Sequence, residues 1–200
     1  MNLPNRLTVA RVCIVPVFLA VMLAPDLIGL HYLWALILFV IASYTDHLDG
    51  KIARKNNQVT NFGKFMDPLA DKILVMTALV CFVQLGLADS WVVVLILARE
   101  FLVTGIRLIA AESGQVLAAN RWGKAKTVSQ IIAISAVLAF QFILELVDRG
   151  NLPAFTLGGA DGAFALTWIG SFLVLISAVF AVVSGVVYLM QNISLIDTTK

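Results

Sequence analysis

The residues best suited to chemistry in this 200-residue chain are four aspartates that form two pairs. Asp46 and Asp49 are three positions apart in the sequence. Asp67 and Asp71 are four positions apart. Because residues three or four positions apart share one face of a helix, each pair presents both carboxylates to the same side. Since a short connection joins the two segments, we expect neighbouring antiparallel helices whose four carboxylates converge on one point.

Four converging carboxylates repel one another unless cations neutralise them, which indicates a metal site. Hard carboxylate oxygens, with no useful histidine or cysteine pattern nearby, favour Mg²⁺ or Mn²⁺ over Zn²⁺. His47 lies between Asp46 and Asp49 in the sequence but points away from the face that they share. The sequence therefore predicts a divalent-metal site formed by Asp46, Asp49, Asp67 and Asp71.

The segment between the two pairs is suited to a phosphate-bearing ligand. Gly50 has no Cβ atom and Ala53 keeps the same helix face open, so a ligand can approach the backbone closely. Arg54 can donate two parallel hydrogen bonds to a phosphate. Gly63 ends the predicted connection. A diphosphate bridged by metal ions and held by an arginine is a chemically consistent ligand.

Structural interpretations of the single aspartates stay open beside the metal site. Asp67 precedes Pro68, which is typical of a helix N-cap followed by a first-turn proline. Asp71 can pair with Arg54 or with a lysine of a neighbouring helix. Asp49 can be a solvated residue at a helix end. These interpretations do not explain why all four carboxylates gather in two helical pairs.

The aspartates lie in a chain whose composition is typical of membrane proteins. Hydrophobic residues make up 60% of it and charged residues 13%, against about 45–50% and about 25% in soluble domains. The net charge of +2 gives little support to a nucleic-acid partner. The pattern predicts one all-α domain over residues 1–200, with a short N-terminal segment at the membrane surface and six transmembrane helices, at approximately 7–25, 32–54, 67–87, 90–112, 124–147 and 163–190.

The membrane boundary is expected to pass close to the aspartates. Only 14 residues separate His31 from Asp46, and a helix of that length spans about 21 Å, short of the roughly 30 Å hydrocarbon core. Either the bilayer thins, or the helices continue and place their carboxylates at the interface, where ionisable groups indicate function. Basic residues concentrate at the termini and at the second and fourth connections. Because basic residues are enriched on the cytoplasmic side of membrane proteins, both termini and the aspartates are predicted to lie on the cytoplasmic side of a cell membrane.

The aspartates belong to a longer run that resembles the signature of the CDP-alcohol phosphotransferase family. Eight fixed positions of that signature occur within 26 residues, as Asp46-x2-Asp49-Gly50-x2-Ala53-Arg54-x8-Gly63-x3-Asp67-x3-Asp71. Further blocks in the first 127 residues resemble the family members that make phosphatidylglycerophosphate. These blocks are Asn2-Leu3-Pro4-Asn5-x-Leu7-Thr8, the run 63–72, Ala98-Arg99-Glu100-Phe101, Thr104-Gly105-x-Arg107 and Gly123-Lys124-x-Lys126-Thr127.

The resemblance implies a metal-dependent enzyme with two lipid-pathway substrates. It would transfer a phosphatidyl group from CDP-diacylglycerol to sn-glycerol 3-phosphate and release CMP. Two Mg²⁺ (or Mn²⁺) ions would be held mainly by Asp46, Asp49 and Asp67. Asp71 would share in that site and act as the general base. The donor would be bound by Asp49, Gly50, Ala53, Arg54 and Gly63. The resemblance also implies a homodimer surrounded by membrane lipid.

An acceptor that carries its own phosphate needs a second anion site. The candidates lie near the cytoplasmic ends of the fourth and fifth helices and are Arg107, Lys124, Lys126 and Thr104. The alternative for these basic residues is ordinary anchoring to lipid headgroups. Arg99 is a further candidate for this anion site, but it adjoins Glu100, and a buried ion pair that orients the helices is at least as good an interpretation of that residue.

Three other functions stay open at this point. The same chemistry could use a different acceptor, such as inositol phosphate or serine. An ion transporter would also carry membrane carboxylates, but it predicts polar residues spread across the bilayer depth. A scaffold protein without chemistry would leave the clustered carboxylates unexplained.

Overall fold

The computed structural model describes the backbone of residues 3–55, 61–112, 117 and 121–193. It describes the side chains of residues 9–10, 12–45, 72–110, 117 and 121–193. Within these ranges the chain forms six α-helices and one short hairpin. The helices are α1 (Leu3–Leu23), α2 (His31–Lys55), α3 (Asn61–Gln84), α4 (Ser90–Glu112), α5 (Arg121–Asp148) and α6 (Gly162–Gln191). The hairpin pairs β1 (Thr156–Leu157) with β2 (Ala160–Asp161) in antiparallel fashion just before α6.

The predicted start of the third helix is wrong by six residues. The helix α3 begins at Asn61, so Gly63 lies in its first turn and does not end a connection. Asp67 lies inside α3, which removes its interpretation as an N-cap. The reason is that Lys64 and Met66 are good helix formers and extend the helix ahead of the apolar stretch. The first helix likewise begins at Leu3, four residues earlier than expected.

Two helices end in the same glycine-dependent way at the end of the bundle away from the aspartates. After α3, Gly86 has a φ of 70°, and the N–H of Leu87 donates to the carbonyl of Phe82 at 2.8 Å. After α5, Gly150 has a φ of 75°, and the N–H of Asn151 donates to the carbonyl of Leu146 at 2.9 Å. Both are Schellman motifs, in which the left-handed glycine lets the chain turn back and satisfy the last carbonyls.

The core lies along the centre of the helix bundle. The helix α1 packs against α2 and α3, α5 packs against α2 and α6, and α4 packs against α6. Large side chains with no measurable exposure fill the space between them, among them Phe18, Phe39, Phe82, Ile96 and Ile134. This packing fixes the rotation of α3, α4 and α5, which carry the basic residues described below.

Large apolar side chains are exposed on the outer surface of the bundle. Phe101, Leu108, Trp168, Phe172 and Met190 are each more than half exposed. The helices α5 and α6, of 28 and 30 residues, are long and apolar enough to cross a membrane. Exposed apolar surface of this extent marks contact with lipid or with another protein. The coarse prediction of a helical chain suited to a membrane is therefore supported.

Candidate active site

The two aspartate pairs lie on the two helices that the sequence indicated. Asp46 and Asp49 belong to α2, and Asp67 and Asp71 belong to α3. Their spacing is therefore helical, and each pair lies on one face of its helix. Their side chains lie outside the described residues, so their convergence stays a prediction. Carboxylate oxygens are donors that Mg²⁺ accepts, and the residue types fit the ion that the resemblance implies.

The residues expected to bind the donor also belong to these two helices. Gly50, Ala53 and Arg54 continue α2 beyond Asp49, and Gly63 lies in the first turn of α3. Their side-chain positions fall outside the part of the chain that the structure describes. Among the side chains that are described, no group of three or more histidine, cysteine, aspartate or glutamate residues forms a metal site.

A cleft between α2, α3, α4 and α5 opens beside the aspartate-bearing segments. We call it the inner cleft, and its polar lining consists of Ser43, Lys72, Glu100, Lys126, Thr127 and Gln130. Leu79, Ile96 and Ile131 contribute to its apolar lining. Ser43 precedes Asp46 by three residues on α2, and Lys72 directly follows Asp71 on α3. The inner cleft therefore begins within one helical turn of both aspartate pairs.

Lys126 is the predicted acceptor residue that the structure places in the inner cleft. Its ammonium group donates to the carboxylate of Glu100 and joins α5 to α4. Both side chains are buried, with exposed fractions of 6% for Lys126 and 9% for Glu100. A buried ammonium group needs a counter-charge of this kind. Glu100 thus holds Lys126 at the wall of the inner cleft.

Thr104, a second predicted acceptor residue, contacts the inner cleft through Lys72. The ammonium group of Lys72 donates to the hydroxyl oxygen of Thr104. That hydroxyl in turn donates to the backbone carbonyl of Glu100 at 2.6 Å. Thr104 therefore orients Lys72 and connects α3 to α4. Two ammonium groups, from Lys72 and Lys126, line the same cleft.

The other two predicted acceptor residues lie outside the lining of the inner cleft. Arg107 is exposed on α4, where its Nε donates to the hydroxyl of Tyr188 at 3.2 Å. Its guanidinium carbon also lies 5.5 Å from the centroid of the Tyr188 ring, which is cation–π geometry. Lys124 is exposed near the start of α5. Of the four predicted acceptor residues, the structure therefore brings Lys126 and Thr104 to the inner cleft and places Arg107 and Lys124 outside its lining.

Arg99 forms the ion pair with Glu100 that its position suggested, and the pair is partly buried. Its Nη1 lies 3.2 Å from the Oε1 of Glu100, and its Nη2 donates to Ser184 of α6 at 2.6 Å. A Cβ added at Gly185 would lie 2.9 Å from the Cγ of Arg99, so the glycine allows this close approach. Arg99 thus fixes α4 against α6.

Sequence reasoning missed Gln130, Lys72 and Glu100 as parts of the site. Lys126 and Gln130 are four positions apart, and this helical spacing could have indicated that they share a face. Glu100 interrupts an apolar stretch of α4, and such a charge is a signal by itself. The partner of each residue lies on another helix, so the contacts depend on how the helices rotate about their axes.

A second buried polar cluster lies at the opposite end of α2 and α5. His31 Nδ1 is 3.3 Å from the Oε1 of Glu145, and Arg149 Nη2 donates to the same oxygen at 2.9 Å. The backbone N–H of Tyr32 donates to the Oε2 of Glu145 at 3.4 Å. This cluster attaches the first turn of α2 to the last turns of α5.

Comparison with known proteins assigns the chain to one family. The family model for CDP-alcohol phosphatidyltransferases matches residues 1–195. The chain therefore belongs to the CDP-alcohol phosphatidyltransferase family, as the aspartate run predicted. Membership favours an enzyme over the ion-transporter and scaffold alternatives.

The curated relatives that we compared share one name. The CDP-diacylglycerol–glycerol-3-phosphate 3-phosphatidyltransferase of Bacillus subtilis is 46% identical over 209 residues, covering 100% of this chain and 99% of the relative. The protein of that name from Rickettsia felis is 37% identical over 187 residues, covering 94% and 93%. The one from Haemophilus influenzae is 37% identical over 142 residues, covering 68% and 75%. The likeness thus extends beyond the aspartate run to the helices that follow it.

Proposed function

We propose that this chain transfers the phosphatidyl group of CDP-diacylglycerol to sn-glycerol 3-phosphate in phospholipid biosynthesis. The products are phosphatidylglycerophosphate and CMP. The observation that carries this proposal is the 46% identity to the Bacillus subtilis enzyme over the whole chain. The inner cleft supports it, because two ammonium groups beside the aspartate helices suit an acceptor that bears a phosphate.

The transfer is a displacement at the phosphorus atom that carries the diacylglycerol group. Asp71 accepts the proton of the attacking acceptor hydroxyl, so it must come within hydrogen-bond reach of that hydroxyl. The hydroxyl oxygen forms a new bond to phosphorus, and the bond from phosphorus to the CMP oxygen breaks. CMP leaves with that electron pair. The attacking oxygen must approach in line with the leaving one, so positioning contributes much of the rate.

The aspartates are proposed to hold two divalent ions, Mg²⁺ or Mn²⁺. Asp46, Asp49 and Asp67 are the main ligands, and Asp71 shares in the site. Bound ions would draw charge from the diphosphate and stabilise CMP as it leaves. The donor's cytidine diphosphate is assigned to Asp49, Gly50, Ala53, Arg54 and Gly63.

The acceptor phosphate is proposed to bind at the basic residues of α4 and α5. Lys126, held by Glu100, is the innermost of them. Arg107 and Lys124 lie on the exposed surfaces of these helices and suit the capture of an anion arriving from water. Thr104 acts by orienting Lys72.

The proposed setting is the cytoplasmic membrane, crossed by all six helices. The concentration of basic residues near the aspartates supports an active site and termini that face the cytoplasm. The polar residues at the start of α1 support a short segment at the membrane surface. A homodimer is the proposed assembly.

The direct test is CMP release by the purified chain in detergent or vesicles. We expect release with CDP-diacylglycerol and sn-glycerol 3-phosphate together, and none when either substrate is omitted. Serine and inositol phosphate in place of the acceptor are expected to give little product. Release of CMP with one of these and not with sn-glycerol 3-phosphate would replace the proposed acceptor.

A further inference from the structure

The amide nitrogen of Gln130 is a buried hydrogen-bond donor without a protein partner among the described residues. The residue is only 3% exposed, and it lines the inner cleft. It lies one helical turn from Lys126, on the same buried face of α5. The nitrogen is therefore shielded from bulk water beside a residue proposed to bind substrate.

A buried donor of this kind is costly unless a partner meets it in the working state of the protein. Folded proteins pair nearly all of their buried polar groups, and an unpaired one often marks a functional site. A glutamine kept only for packing could be replaced by leucine or methionine without that cost. The position of Gln130 in the wall of a cleft indicates that its partner arrives as a ligand.

The lining of the inner cleft limits what that ligand can be. Lys72 and Lys126 favour an anion, while the neutral amide of Gln130 can pair with an uncharged hydroxyl as donor or as acceptor. Because a glutamine amide can present either its nitrogen or its oxygen, a hydroxyl group satisfies it in both orientations. A phosphate oxygen can only accept, so it satisfies one orientation. The cleft thus suits a small molecule that carries both a phosphate and a hydroxyl.

We propose that Gln130 binds the non-reacting secondary hydroxyl of the glycerol 3-phosphate acceptor and helps to select this acceptor. The inference rests on the proposed function. An acceptor with its phosphate at the lysines and its primary hydroxyl directed to Asp71 leaves the secondary hydroxyl between them. Gln130 is then a specificity-determining residue, and its loss weakens binding of one substrate.

The donor lipid is the other possible source of an oxygen at this position, through an ester carbonyl. The apolar lining near Leu79 and Ile131 would admit such a group. The acceptor is favoured because two lysines and only one carboxylate, Glu100, lie in the described lining, which leaves a positive charge that an ester carbonyl does not need. The experiment below separates the two sources.

The test measures initial rates of CMP release with two acceptors. One is sn-glycerol 3-phosphate, and the other is 1,3-propanediol monophosphate, which keeps the phosphate and a primary hydroxyl but lacks the secondary one. In the unaltered protein we expect the KM of the analogue to be about tenfold higher, the typical effect of one lost hydrogen bond. Equal KM values for the two acceptors would overturn the proposal without any variant.

The variant Gln130→Leu then assigns the effect to this residue. We expect its KM for sn-glycerol 3-phosphate to rise about tenfold, with KM for the analogue and for CDP-diacylglycerol changed less than about twofold. The matched control is Gln141→Leu, because Gln141 is also buried on α5 but does not line the inner cleft. It should change none of these values.

Each contrary outcome has its own meaning. A rise confined to the KM of CDP-diacylglycerol would assign Gln130 to the donor and overturn the acceptor role. Equal losses with both acceptors, or no change at all, would also overturn it. If the unaltered protein releases no CMP with sn-glycerol 3-phosphate, the proposed function itself fails, and this inference with it. Normal CMP release with equal KM values for the two acceptors refutes only the role of Gln130.

Discussion

Lys126 of α5 donates to the carboxylate of Glu100 on α4, and the same carboxylate pairs with Arg99 at 3.2 Å. One buried acidic group thus pairs with two basic ones that belong to different helices. The arrangement joins the wall of the inner cleft to the contact between α4 and α6, where Arg99 reaches Ser184. Binding and stability are therefore coupled at Glu100.

Replacing Glu100 by glutamine tests whether its ion pairs stabilise the packing of the helices. The change Glu100→Gln keeps the shape but leaves Lys126 and Arg99 without their counter-charge. Breaking one partner of a buried ion pair costs about 3–5 kcal/mol, so we expect a clear fall in the melting temperature of the detergent-solubilised protein. Asp148→Asn is a suitable control, because Asp148 is exposed at the end of α5 and should change little. A variant that melts like the unaltered protein would show that the pair does not hold the helices.

The lysines of α5 are expected to differ in their effect on the acceptor. Lys126 lines the inner cleft, whereas Lys124 is exposed and does not. We expect Lys126→Ala to raise the KM for glycerol 3-phosphate at least about tenfold, as for a lost charged hydrogen bond. Lys124→Ala should raise it less than about threefold, since exposed ion pairs contribute little. Equal effects, measured by CMP release at varied acceptor concentration, would argue against the inner cleft as the phosphate site.

Asp71 is the residue on which the proposed chemistry most depends. The isosteric change Asp71→Asn removes the base, and a positioned base contributes roughly 10²–10⁴-fold to rate. We expect the rate of CMP release to fall at least about 100-fold, the lower end of that range. Metal-dependent binding of the CDP-lipid should stay measurable. Asp161→Asn, in the exposed hairpin before α6, should keep full activity. Full activity in Asp71→Asn would remove this residue from the base role.

Replacing two helical glycines by alanine should change the stability of the protein in opposite directions. A Cβ at Gly162 would lie 2.6 Å from a ring carbon of Phe155 and 2.7 Å from its carbonyl oxygen. Gly162→Ala is therefore expected to destabilise the protein by about 1–3 kcal/mol. A Cβ at Gly105, inside α4, would meet nothing within 4 Å, and Gly105→Ala should stabilise it by roughly 0.5–1 kcal/mol. Thermal unfolding of both variants gives the comparison, and a shift of the same sign in both would contradict it.

The sequence predicted the order of the helices because each is marked by a long apolar stretch. Four of the six predicted ranges agree with the structure within about three residues at each end, those of α2, α4, α5 and α6. The starts of α1 and α3 were missed because their first turns are polar and add nothing to hydropathy. Helical spacing placed both aspartate pairs on helix faces, and the backbone agrees.

The contacts inside the site could not be predicted from the sequence. Lys72 meets Thr104 across 32 positions of sequence, and Lys126 meets Glu100 across 26. Whether such residues face one another depends on how each helix is rotated by packing around Ile96 and Ile134, which periodicity within one helix does not encode. The buried amide of Gln130 carries no sequence signal except its spacing from Lys126.

The contact between His31 and Glu145 lies far along α2 from the aspartates. His31 and Asp46 are 15 residues apart on α2, or about 22 Å along the helix axis. A slip of α2 by one residue would carry its aspartates about 1.5 Å along the axis and turn them by about 100°. By attaching the first turn of α2 to the last turns of α5, this cluster fixes the register of α2. It thereby sets the depth of the aspartate-bearing segment of α2 relative to Lys126 and Gln130 of α5.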